Sequence, residues 1–154
     1  MSSRKSTRQV PSPPAGRIIV DTSQWAFWVI QNQGGVAHPI HLHGHDFYLL
    51  GTAAATTFSD SKVSSLNFVN PPRRDVAMLQ ATGYLVLGFP TDNPGAWLMH
   101  CHIAWHVGEG LAVQFLERKD EIAGLMNLTA IQPACDNFDS WYSTSPYKKL
   151  DSGL

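Results

Sequence analysis

This sequence has no long apolar run. No stretch approaches the roughly twenty apolar residues a membrane-spanning helix needs, so a membrane-embedded protein is not expected. The first fourteen residues also lack the apolar segment of a secretory leader. Charge is scarce too: eleven Lys and Arg stand against twelve Asp and Glu, for a net charge of −1. The only basic cluster is Arg4, Lys5 and Arg8, in a Ser-rich opening. Nucleic acid and anionic membrane surfaces are therefore not expected partners. Cysteine is nearly absent, with Cys101 and Cys135 alone, which excludes a disulfide-stapled scaffold. If Cys101 is engaged elsewhere, Cys135 is left to a partner outside the chain or to a free thiol.

What is present is a chain of 154 residues, 44% hydrophobic, long enough for one domain with a real core. Residues 1–16 are polar and then Pro-rich and read as a disordered linker. β-Branched and aromatic runs at 17–20 and 25–30 predict two strands or one hairpin. Gly34-Gly35 opens a loop toward a histidine cluster, and 46–50 reads as a strand ending at Gly51. Residues 52–72 read as a long surface excursion. Further strands are expected at 75–79, 84–89, 96–100 and 111–116, with a strong turn at Asp92-Asn93-Pro94-Gly95. A short helix is expected at 120–125, and an irregular polar tail from Gln132 onward. Short strands at close spacing indicate an all-β fold, an antiparallel β-sandwich.

The histidines are not scattered. All seven lie in His38-Pro39-Ile40-His41-Leu42-His43-Gly44-His45 and His100-Cys101-His102-Ile103-Ala104-Trp105-His106. Imidazole and thiolate grouped this way suit a transition metal, copper before zinc. On a strand, successive side chains point to opposite faces, so His100 and His102 would share one face and Cys101 the other. One strand then serves two metal centres, with the sulfur and each neighbouring imidazole joined through roughly ten covalent bonds. A trigonal His₂Cys centre would combine Cys101 with His106 nearby and His38 from afar. The position for a weak axial ligand is Leu111, which has no donor atom. The second centre would use His41, His43, His100 and His102. His45 is left to a structural hydrogen-bonding role, Met78 and Met99 to the core, and Trp105 is a candidate wall for a substrate. The sequon Asn127-Leu128-Thr129 is compatible with secretion.

The two motifs resemble the third and fourth copper-binding segments of multicopper oxidases, most closely the ascomycete fungal laccases. Flanking stretches add to the resemblance: Asn70-Pro71-Pro72-Arg73-Arg74-Asp75-Val76 and Thr91-Asp92-Asn93-Pro94-Gly95-Ala96-Trp97. It covers residues 17–154. It implies a cupredoxin-like Greek-key β-sandwich over 17–119, partial if its first strands are missing, and a C-terminal extension over 120–154. It implies a type 1 copper on His38, Cys101 and His106 with Leu111 axial, a type 2 copper on His41, and a type 3 pair on His43, His100 and His102. Phenolic or similar small donors would be oxidised and O₂ reduced to water. It further implies a secreted setting, a tail 151–154 that plugs a channel, and a Cys135 bonded to another domain.

The family's other two copper motifs are absent from these 154 residues. The chain is therefore expected to be the C-terminal third of such an enzyme, with N-terminal laccase domains as its partners. The rival expectations are a mononuclear blue-copper electron-transfer module and a non-functional fragment. Leu111 argues against relatives that place methionine at the axial position.

Overall fold

Alternating apolar side chains build two facing sheets. The computed structural model describes residues 17–146. The strands are β1 (Arg17–Val20), β2 (Trp25–Gln31), β3 (His38–Leu42), β4 (Phe47–Ala53), β5 (Arg73–Arg74), β6 (Val76–Leu79), β7 (Tyr84–Pro90), β8 (Gly95–Cys101) and β9 (Ala112–Glu117). The helices are α1 (Ala104–Gly108), α2 (Lys119–Leu125) and α3 (Leu128–Thr144). One sheet runs β1-β9-β8-β3-β6, the other β2-β7-β4-β5. This is the expected cupredoxin-like sandwich. Among the described residues no helix is long and apolar enough to cross a membrane.

The core lies between the sheets. Ile40 and Leu42 of β3, Leu85, Leu87 and Phe89 of β7, Met99 and Cys101 of β8, and Phe115 of β9 are buried there. Trp28 meets Phe115 and Phe89 edge-on, with ring centroids 5.3 and 5.7 Å away. Such T-shaped pairs add about 0.5–1.5 kcal/mol each beyond their area. Strand β7 is buried on both faces. Tyr84 and Val86 point outward, beneath Phe58 and Leu66 of the excursion after β4. That excursion is thus a cover for the sheet, with a 3₁₀ turn at Asp60–Ser65, rather than a bare surface loop.

Several expectations are corrected. The first two strands are not a hairpin: β1 pairs parallel with β9, and β2 pairs antiparallel with β7 in the other sheet. Among the described residues the sandwich therefore holds one parallel pair. The first histidine motif begins on a strand, β3, and β4 continues through Gly51, where its register against β7 shifts. Met78 is 44% exposed and fills no core, whereas Met99 does. The tail from Gln132 is not irregular, because residues through Thr144 form α3. The linker 1–16 and the plug-like tail 151–154 lie outside the described residues.

Candidate metal centres

Strands β3 and β8 run antiparallel with Ile40 opposite Cys101, His41 opposite His100 and Leu42 opposite Met99. Alternation then sorts the side chains. Ile40, Leu42, Met99 and Cys101 face the core, while His41 and His100 stand on the other face. The two-sided arrangement expected of β8 is present.

On the core side, Cys101 is fully buried, and its Sγ lies 3.5 Å from His106 Nδ1 and 3.6 Å from His38 Nδ1. The two Nδ1 atoms are 3.1 Å apart. The centre of a triangle with these sides stands about 2 Å from each corner, near the usual metal–nitrogen distance and a little short for metal–sulfur. The donor set and its spacing fit a transition metal. His38 opens β3 and His106 lies on α1, so the turn after β8 has to fold back. It is closed by two hydrogen bonds: Cys101 N–H donates to Leu111 O (3.0 Å), and Leu111 N–H donates to His106 O (2.9 Å). Leu111, His38 and Cys101 line one cavity of about 220 Å³. Burial, and then the neighbouring His106, push the His38 pKa below its ordinary value, which keeps the ring in the neutral form that ligates.

On the outer side, His41, His43 and His100 place ligand atoms within 4.8 Å of one another. His43 Nε2 faces His100 Nε2 at 3.1 Å. The other nitrogens of two of these rings are tied down. His41 Nδ1 lies 2.8 Å from Asp75 O, and His100 Nδ1 lies 2.8 Å from Cys101 O. A ring nitrogen facing a carbonyl carries the proton, which leaves each Nε2 lone pair free to ligate. Burial, then His41, His100 and His102, lower the His43 pKa. His102 is not gathered into this group. It is exposed beyond the end of β8, with its ring 5.7 Å from those of both His41 and His100. Trp105 is 71% exposed, edge-on to His106 at 6.3 Å.

Sequence reasoning missed one member of this neighbourhood, Glu117. It is fully buried, with Oε1 accepting the Asn93 N–H at 2.7 Å and Oε2 standing 2.9 Å from His45 Nε2. That last contact is close but falls outside hydrogen-bond angles, and neither atom has another partner among the described residues. A signal existed. The inward alternation Val113, Phe115, Glu117 puts a carboxylate on the core face of β9. His45 is buried and hydrogen-bonding, as expected, with Nδ1 3.2 Å from His43 O.

A sequence profile of the multicopper oxidases matches residues 2–121. A laccase of Cryphonectria parasitica is 45% identical, over 94% of this chain and 27% of its own length. Laccase-3 of Botryotinia fuckeliana is 56% identical, over 66% of this chain and 25% of its own. The crystal structure of a laccase from Botrytis aclada superposes with a TM-score of 0.69 at 43% identity, covering 92% of this chain and 26% of that one. The chain spans about a quarter of the length of the relatives it matches. Fold, paired ligand sets and sequence agree: the chain belongs to the multicopper oxidase family.

Proposed function

We propose that this chain is the copper-binding cupredoxin domain of a laccase-type oxidase. The observation that carries the reading is that His100 and Cys101, adjacent in β8, belong to two different ligand sets on opposite faces of one strand. His38, Cys101 and His106 would hold a type 1 copper. His41 would serve a type 2 copper, and His43, His100 and His102 a type 3 pair. Copper at these positions supplies one-electron oxidation of phenolic donors on the core side and reduction of O₂ to water at the outer cluster.

The chain's own residues do the rest. Cys101 and each neighbouring histidine are joined through roughly ten covalent bonds, a continuous path for electrons. Leu111 has no donor atom to offer a copper held by His38, Cys101 and His106, which would favour the lower oxidation state and raise the potential. Trp105 offers an exposed flat face beside His106 for an aromatic donor. His41 and His100 present fixed tautomers through their carbonyl contacts. The four outer histidines are half of what the family's cluster takes, so N-terminal laccase domains are the partners. A secreted setting suits the exposed sequon at Asn127.

The test is copper loading of the purified 154-residue chain. An intense visible thiolate-to-copper band is expected and should vanish in C101A. Copper uptake without that band in the unaltered chain would sink the reading.

A further inference from the structure

We propose that Glu117 is a positioning residue for the outer ligand set, fixing His43 through His45 and through Asn93. The inference rests on the reading of His41, His43 and His100 as a metal centre, and it adds a residue on a different strand that touches none of them.

The argument starts from cost. A wholly buried carboxylate is expensive, and an apolar residue of similar volume in its place is often neutral or stabilising. Glu117 therefore asks for a purpose beyond packing. One of its oxygens meets the segment that carries His43 directly, and the other is linked to it through Asn93. Oε2 meets His45 Nε2, whose ring lies among Phe89, Trp97 and Phe115. The other ring nitrogen, Nδ1, faces the His43 carbonyl at 3.2 Å. The His45 ring is thus wedged between the Glu117 carboxyl and the His43 carbonyl, and these two contacts fix its orientation.

Oε1 works through Asn93. The Asn93 N–H donates to Oε1 at 2.7 Å, while Asn93 Nδ2 donates to Gly44 O at 2.8 Å. The Trp97 indole N–H closes the group by donating to Asn93 O at 2.8 Å. His43 itself lies one residue past the end of β3. Its N–H donates to Leu98 O at 2.9 Å, and its carbonyl meets His45. The peptide is thus held from both sides, and the ring stands 3.1 Å from that of His100. The core-side set draws on β3, β8 and α1 and receives none of these contacts. A disturbance at Glu117 should therefore reach one set and spare the other.

The experiment uses the 154-residue chain with E117Q, E117L and the double variant E117L/H45F, which replaces the buried polar pair by apolar groups. In the metal-free chain, ring-to-ring nuclear Overhauser effects report the His43–His100 and His38–His106 contacts separately. Expected are both contacts in the unaltered chain and in E117Q, whose side chain keeps the size of Glu117 and an oxygen to accept the Asn93 N–H. In E117L and the double variant the His43–His100 contact should be lost while His38–His106 persists. The double variant should also unfold no earlier than the unaltered chain, which separates positioning from stability. With Cu(II) as probe, the outer set should bind about 10–100-fold more weakly in E117L, with the thiolate band unchanged. Retention of the His43–His100 contact in the double variant overturns the inference, as does loss of both contacts together. If the contacts behave as expected but the unaltered outer set takes no copper, the metal reading fails and the positioning role stands.

Discussion

Gly44 shows how closely one residue can be constrained by its neighbours. Its φ is +74°, and a Cβ there would stand 2.4 Å from the Trp97 ring. The residue lets the backbone lie flat on the indole between His43 and His45. G44A should cost about 1–2 kcal/mol for the left-handed backbone alone, with displacement of the ring in addition. Denaturant unfolding checks the stability, and copper titration should show the outer set weakened before the Cys101 set. Glu117 gives a second prediction at this scale. Burial raises its pKa above the ordinary carboxylate value, so the folded chain holds this proton more tightly than the unfolded chain does. Its contribution to stability is present below the ordinary range near 4.5 and is lost as pH rises through the folded value. E117Q cannot titrate. Its unfolding free energy in the metal-free chain should fall less steeply with rising pH above the ordinary carboxylate range. Parallel pH profiles for the two proteins would sink this account.

At the scale of elements, most strands were legible, but β3 was read as a loop and the helices α1 and α3 were not foreseen. The strand that carries His100 and Cys101 announces itself by alternation. His100 and Cys101 fall on opposite faces whatever the rest of the chain does, and Asp92-Asn93-Pro94-Gly95 marks where β8 begins. What long-range pairing decides was hidden. Nothing local tells Arg17–Val20 to run parallel to β9, and the role of Glu117 needs the register that sets it opposite Gly95. The helix α3 was obscured by Pro133 and by Asn, Asp and Ser residues that favour turns. Its signals were the Asn127 cap and the aromatics Phe138, Trp141 and Tyr142, spaced to share one face. Phe138 and Tyr142 do stack, with centroids 5.7 Å apart. None of the residues of α3 is buried, so local terms carry much of its stability. Asn127 Oδ1 accepts the Thr129 N–H at 3.2 Å. N127A should therefore cost about 0.5–2 kcal/mol of helix stability. The readout is far-UV circular dichroism, where the helical signal should drop while the thiolate–copper band stays.

At the scale of the whole molecule, the core-side candidate ligands bring distant parts of the chain together. His38 comes from β3, Cys101 from β8 and His106 from α1, and all three converge only in the folded state. An ion that binds this arrangement and not the unfolded chain stabilises the fold by about 2.7 kcal/mol at a hundredfold excess over its dissociation constant. Cys101 and His106 are close in sequence and keep some affinity when unfolded, which trims that figure. For a chain of this size the gain corresponds to a rise of about 5–10 °C in melting temperature. C101A should lose the part of the rise that belongs to the core-side set and keep the part that belongs to the outer histidines. Catalysis should divide differently. On the proposed reading, the covalent path from Cys101 to His100 lies within this chain, while its outer face would offer half of the imidazoles the family's cluster takes. The copper-loaded 154-residue chain should therefore accept an electron from a phenolic donor, bleaching the thiolate band once, without sustained O₂ consumption. An oxygen electrode together with the visible spectrum separates the cases. Steady O₂ uptake that depends on both the phenol and Cys101 would show that these histidines suffice for the full reaction and would overturn the half-cluster account.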